Sequence, residues 1–296
     1  MFVALSFVGK LPSYIVESVY QIRLYFNGSI YLITDDIRSS YLAKLENVII
    51  INYNDVKSQG FINTVGSNYN KFYICHKLKG REQLFIRSFE RFFLVSNLMK
   101  RDNLSDCLFL ELDNLIYRNP NDWLEELSKY ELCYLFDNYD RCSAGLMYIK
   151  SPTSLDGFLD YTISYIETSN EFLSEMMCLY RYYIVNKDYN NIMILPTYWK
   201  DENIPEIASI NFVKVGLFDA AGIGIYLLGM DIVHTNNKII KGKRNKWGAI
   251  DYTKNTFKWE KDIDGLNKPY ILHSDKWILI NNLHIHSKNL KEGLSK

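Results

Sequence analysis

Apolar positions fall into short blocks and helical stripes that alternate along the chain. Phe2 to Val8 is apolar apart from Ser6 and is closed by Gly9 and Pro12, which predicts a first strand and a turn. Ile15, Val19, Ile22 and Phe26 follow at helical spacing until Asn27-Gly28 stops the helix. Ile30 to Thr34 and Val48 to Ile51 read as two more strands. A β-α-β opening with turn residues at the carboxyl ends of its strands predicts an open, mostly parallel sheet. Ligands of such sheets bind outside those carboxyl ends, which places Ser6 to Lys10 and Thr34 to Asp36 first in line.

Asn52 to Gly80 is polar and rich in Asn, Ser and Gly, and reads as a long loop with at most a short helix. Order returns from Arg81 to Lys100, where Leu84, Phe85, Ser88, Phe92, Val95 and Met99 form a helical stripe. That helix sets Arg87 and Arg91 four apart on one face, either as a solvated face or as cations leaning towards bound phosphates. Cys107 to Leu112 is then apolar except for Glu111, as in a strand buried on both faces. Asn121-Asp122-Trp123 opens a short helix with an acceptor cap. Leu132 to Phe136 and Ser143 to Ile149 are further strands, and helices follow from Pro152 to about Glu167 and from Glu171 to Asn186. Met193 to Pro196 is a short strand. The small residues of FDAAGIGIYLLG, within Asn211 to Gly229, allow close backbone approach either to a ligand or to a packed helix. His234 to Trp259 reads as a β-hairpin with polar turns, and the chain carries no internal repeat.

Chemistry concentrates in two places. Glu111 and Asp113 sit one residue apart where an apolar run stops, and in an extended segment such side chains share a side. They are either a solvated strand end or a hard oxygen site suited to Mn2+ or Mg2+. Near the end of the chain, an extended Leu283 to Lys288 would put His284, His286 and Lys288 on one side, a natural partner for a metal bound to a diphosphate. The formal net charge of zero argues against a nucleic-acid partner. With 23 Tyr against 5 Trp, the aromatic content suits packing against a polar ligand. Cys75, Cys107, Cys133, Cys142 and Cys178 are odd in number and include no CxxC pair, so reduced core thiols and a cytoplasmic protein are expected. The amino terminus has no basic leader and no segment has the length of a membrane span, which predicts a soluble chain without signal peptide or transmembrane segment.

With these residues in place, the chain resembles the nucleotide-sugar glycosyltransferases of the GT-A fold. FLELDNLIY is similar to the Asp-x-Asp motif of that superfamily in a Glu-x-Asp form, and SAGLMYI to the alanine-glycine strand that lines the sugar pocket. NNLHIHSK resembles the terminal histidine and lysine of glycogenin-like members. The ordered run RFF, LELDN, SAGLMYI, FDAAGIGIYLLG and NLHIHSK also resembles viral and bacterial proteins of this class, and the likeness extends from Phe2 to Leu290.

The resemblance implies an α/β domain over residues 1–296, with a mixed, mostly parallel sheet flanked by helices. Residues 1–120 would form a nucleotide-binding half and 121–296 a sugar- and acceptor-binding half. It implies metal-dependent transfer of a sugar from a nucleotide-diphosphate donor, a UDP-sugar, to a glycan, lipid or protein acceptor, in the cytoplasm or in a host's cytoplasm for a viral chain. Asp113 would bind Mn2+ or Mg2+ directly, Glu111 directly or through water or the ribose, and His286 would supply a further ligand with His284 beside it. Phe7, Val8, Gly9, Arg87, Arg91, Ala144, Gly145 and Lys288 would join Glu111 around the donor. Asp219 and Glu175 are the candidate bases for an inverting reaction, while the glycogenin-like terminal histidine points to retention. The sequence departs from the pattern in its Glu-x-Asp and at Ile225 and Leu228, where a glutamine and a glycine are expected. Two other functions stay open: a nucleotide-sugar binder without turnover, and a sugar nucleotidyltransferase, for which VGKLPSY is a poor version of the Gly-rich signature.

Overall fold

The computed structural model describes residues 1–73, 82–186, 191–199, 216–230 and 239–296. Its strands are β1 (Phe2–Phe7), β2 (Ile30–Thr34), β3 (Val48–Asn52), β4 (Cys107–Leu110), β5 (Asn114–Ile116), β6 (Leu132–Asn138), β7 (Arg141–Ile149), β8 (Ile192–Leu195), β9 (Phe257–Lys261), β10 (Asn267–His273), β11 (Lys276–Leu279) and β12 (Asn282–His284). Its α-helices are α1 (Ile15–Tyr25), α2 (Tyr53–Val56), α3 (Gln59–Tyr73), α4 (Glu82–Arg101), α5 (Asn121–Leu127), α6 (Pro152–Thr168), α7 (Glu175–Asn186) and α8 (Gly222–Leu228).

Alternation along the central strands decides the layering. In β1 and β4, Phe2, Ala4, Cys107 and Phe109 enter one apolar cluster with Phe61, Phe92 and Phe158 of α3, α4 and α6. Their neighbours Val3, Leu5, Leu108 and Leu110 enter another, with Ile15, Val19 and Ile22 of α1 and Trp123 of α5. A strand covered on both faces has no solvated side, which is why its sequence is apolar throughout. Seven strands pair in the order β3-β2-β1-β4-β7-β6-β8, and only β7 runs antiparallel to its neighbours. The fold is therefore α/β with a mixed, mostly parallel sheet. Two smaller sheets, β11-β10-β9 and β12-β5, complete it among the described residues. No helix among the described residues is long and apolar enough to cross a membrane. Cys107, Cys133, Cys142 and Cys178 are free and buried, and Cys75 lies outside the described residues.

Several local expectations need correction. The described part of Asn52 to Gly80 contains α2 and α3 rather than a long loop. Phe61, Val65 and Phe72 are buried while Asn63, Ser67 and Asn70 face solvent, so three apolar positions in a polar stretch suffice to seat the helix. Phe61 meets Phe93 of α4 with ring centroids 4.7 Å apart. Residues 74–80 of that stretch lie outside the described residues. β4 ends at Leu110, and β12 ends at His284, so neither chemical segment is one extended strand. The expected hairpin from His234 to Trp259 is not formed among its described residues, which contribute a single bridge, Met230 to Ile240, before β9 pairs onward with β10. Residues 234–238 of it, and 211–215 of the Asn211 to Gly229 stretch, lie outside the described residues.

Candidate active site

The antiparallel ladder of β4 and β7 pairs Leu110 with Leu146, and one residue on the Glu111 N–H donates to the Gly145 carbonyl at 2.9 Å. The chain then turns, with the Asn114 N–H donating to the Glu111 carbonyl at 3.0 Å, and leaves as β5. β5 pairs with β12 so that Asn114 stands opposite His284, and the Ile285 N–H donates to the Asp113 carbonyl at 2.7 Å. A turn at the carboxyl end of a parallel strand is thus clamped by residues from near the end of the chain.

Three potential ligand atoms converge there. His284 Nε2 lies 3.1 Å from Glu111 Oε2 and 3.4 Å from Asp113 Oδ2, and one atom from each of the three residues falls within 4.8 Å of the others. Cations surround the acids. Lys288 Nζ pairs with Asp113 Oδ2, Arg91 Nη1 pairs with Glu111 Oε1, and Arg91 Nη2 reaches Glu175 Oε1 at 3.2 Å. Arg91 is buried between those carboxylates and the rings of Phe92 and Phe109, 5.2 and 5.4 Å from its guanidinium.

Burial opposes every charge in this cluster, and mutual attraction reverses it for most. Glu111 is held below the usual carboxylate range against its burial, chiefly by Arg91 and then by His284. Asp113 is held well below that range against its burial by His284 and Lys288. His284 is pushed up to about 10 because the two acids outweigh burial, whereas burial and its cationic neighbours push His286 down to about 3. Lys288 rises to about 12 despite burial through Asp113. The Tyr14 phenol, raised to about 12 by burial and then by the Asp113 charge, belongs to the same cluster.

A polar frame fixes the histidine strand. The Asn282 side chain accepts from the Asp219 N–H at 3.0 Å and donates to the Asp219 carbonyl at 3.0 Å and to Asn114 Oδ1 at 2.8 Å. Asp219 is fully buried, and its carboxylate accepts from the N–H groups of Ala221, Ile223, Gly224 and His284 at 2.8 to 3.0 Å. Gly145 and Gly224 make the contact possible: a β-carbon on Gly145 would stand 3.0 Å from His284 Nδ1 and 3.1 Å from Asn114 Nδ2, and one on Gly224 would collide with the His284 carbonyl. Within FDAAGIGIYLLG, added β-carbons on Gly222 and Gly229 would likewise meet the Tyr252 and Ile239 side chains.

The structure therefore brings Glu111, Asp113, His284, Lys288, Arg91, Glu175 and Gly145 together. Ala144 is buried beside Gly145 in β7. Of the two terminal histidines, His284 ends β12 and turns Nε2 to the acids, and the His286 ring lies 4.7 Å from it, centroid to centroid. Arg87 turns to Glu90 and the Tyr53 ring rather than to the acids. Phe7, Val8 and Gly9 end β1 on the same edge of the sheet, where Gly9, at φ 103°, donates to Asp35 at 2.6 Å and Leu11 donates to Asp36 at 2.9 Å. Tyr14, Asn114 and Asn282 escaped sequence reasoning. Their signals were a Tyr just past the first strand's carboxyl end and asparagines beside each chemical motif.

The donor set fits a divalent cation. Two carboxylates and one imidazole bring ligand atoms within 4.8 Å of one another, and His284 Nε2 faces the acids while Gly145 backs its ring.

No protein-family model matches the chain, and the search of curated proteins returned no match. Among solved structures it is similar to mouse xyloside xylosyltransferase 1, at 10% identity and a TM-score of 0.43 over 67% of this chain and 86% of that one. It is also similar to the galactosyltransferase LgtC in complex with donor and acceptor sugar analogs, at 11% identity and a TM-score of 0.43 over 67% of this chain and 74% of that one. The glycosyltransferase GlyE of Streptococcus pneumoniae TIGR4 matches at 13% identity and a TM-score of 0.38, over 65% of this chain and 44% of that one.

Proposed function

We propose that the protein is a metal-dependent glycosyltransferase that takes its sugar from a nucleoside-diphosphate donor, a UDP-sugar, and passes it to a glycan, lipid or protein acceptor. The observation that carries this reading is the meeting of Glu111, Asp113 and His284 within 4.8 Å, with Lys288 against Asp113, at the carboxyl end of a central strand. Glu111, Asp113 and His284 would hold Mn2+ or Mg2+, which supplies Lewis-acid stabilisation to a departing diphosphate. Lys288, paired with Asp113 and with 43% of its side chain exposed, would swing to the donor phosphates. The end of β1, Phe7 to Gly9, offers the nucleotide base a place beside the backbone. Gly145 keeps the space against His284 and Asn114 free of a side chain.

Asp219 and Glu175 act in this reading as positioning residues. Asp219 has its oxygens engaged by four N–H groups, from Ala221 just before α8, from Ile223 and Gly224 in it and from His284 in β12, and Glu175 is buried against Arg91, so each orders the shell that faces the donor.

The test is hydrolysis of a panel of nucleotide sugars with and without Mn2+. Mn2+-dependent release of the nucleotide is expected, falling on the order of 100-fold or more in Asp113→Asn. UDP binding that ignores Mn2+ and gives no turnover would instead favour a binder, and release of pyrophosphate from a nucleoside triphosphate would favour a nucleotidyltransferase.

A further inference from the structure

β6 ends on the same edge of the sheet as Glu111, because β4 and β6 point the same way. The hairpin from β6 into β7 continues past the site. Arg141 lies four residues beyond Gly145 on β7, which at strand rise puts the hairpin tip about 13 Å beyond the level of the acid turn. At that tip Tyr139 is 51% exposed.

A second loop is lashed to it. The Trp247 carbonyl accepts from Asn138 Nδ2 at 2.7 Å and from Arg141 Nη2 at 2.9 Å, and Arg141 is itself paired with buried Asp137. The Ala249 N–H donates to the Asp137 carbonyl at 2.9 Å, and Asn245, buried, accepts the Trp247 N–H at 3.0 Å. These bonds hold the loop backbone while Trp247 as a residue stands 71% exposed. Lys243, Arg244 and Lys246 flank it, all exposed. Among the described residues no carboxylate lies within ion-pair distance of these three; Asp251 feels the Arg244 charge, Asp140 lies 4.0 Å from Arg141, and Lys241 is taken by Glu292 at 2.8 Å.

We propose that this edge, Trp247 and Tyr139 with Lys243, Arg244 and Lys246, docks the protein on an anionic lipid surface. Indole and phenol rings suit the headgroup level of a bilayer, with apolar body and polar tip. Lysine and arginine beside them are drawn to acidic headgroups. A nucleic-acid backbone fits less well, since the chain has no net charge and the cations form one small cluster rather than a track. The rigid backbone means that little order has to be gained on docking. Because the tip stands beyond the acid turn on the same edge, a docked protein would turn its site towards the bilayer.

Co-sedimentation of the full chain with phosphatidylcholine vesicles, with and without phosphatidylserine, tests this independently of any sugar chemistry. Binding is expected only to the phosphatidylserine vesicles, with a blue shift of tryptophan emission and weakening as salt is raised. The triple variant K243E/R244E/K246E should lose binding on the order of 100-fold. Trp247→Ala alone should lose about tenfold, and both variants should melt like the parent because the changed side chains are exposed. Absence of binding to phosphatidylserine vesicles, equal binding by the triple variant, or tighter binding to duplex DNA than to those vesicles would overturn the proposal.

Discussion

Arg91 holds two carboxylates at once, and that makes it the residue whose loss should be felt most widely. It is buried, its guanidinium spans Glu111 and Glu175, and aromatic rings cover it. Removing one partner of such a cluster leaves charge uncompensated in the interior, at about 3–5 kcal/mol. Arg91→Met is therefore expected to destabilise the protein by that order, read as a lower urea midpoint, and to weaken Mn2+ binding because Glu111 loses its orientation. An unchanged midpoint would place the arginine outside the structural frame. At this scale the sequence singles out Glu111, an acid that interrupts an apolar run, and leaves a solvated strand end and an oxygen site both open. It marks Tyr14, Asn114 and Asn282 only by their positions beside a strand end and the two motifs, since a phenol or an amide carries no sign of its role until a distant strand meets it. Between His284 and His286 the choice rests on where β12 stops, which spacing alone does not reveal.

Elements explain why that meeting is tight. β12 is only three residues long, and it is held on one side by β5 and on the other by α8, whose first turn is organised by Asp219. Gly224 is the point of contact, its α-carbon facing the His284 carbonyl. Gly224→Ala would drive a methyl into backbone rather than into a flexible side chain, so the strand must shift or the helix must lift. A loss of about 1–3 kcal/mol is expected, together with weaker Mn2+ binding; thermal melts and metal titration read the two effects separately. A variant as stable as the parent, with full metal affinity, would show that α8 does not position the histidine. The central strands were legible because burial on both faces leaves a continuous apolar record. α3 was hidden because Phe61, Val65 and Phe72 are sparse among exposed Asn, Ser and Gly, and helix α4 supplies the surface that seats them.

At the level of the molecule, the candidate site draws on both ends of the chain, from Tyr14 to Lys288, and its charges already balance without a metal. Glu111, Asp113 and Glu175 face Arg91, Lys288 and a His284 held up at about 10. The β-α-β opening and the acid pair at a strand end could be read from the sequence, but the turn that carries the acids and this balance could not, because they depend on β5 and β12 pairing across most of the chain. A cation bound at His284 Nε2 requires the imidazole without its proton there, so binding near neutral pH must release one. The sign follows from the upward shift: below about 10 the folded protein keeps the histidine charged, and metal competes with the proton. Apparent Mn2+ affinity is therefore expected to rise by about tenfold per pH unit between pH 6.5 and roughly 9, levelling as the histidine loses its proton unaided. The same shift stabilises the metal-free fold below 6.5 and is lost as pH rises through about 10, so protein stripped with a chelator should lose stability across that window. Mn2+-loaded protein should lose less. Calorimetry in buffers of different ionisation enthalpy counts the released proton directly, and an affinity independent of pH would remove His284 from the metal shell.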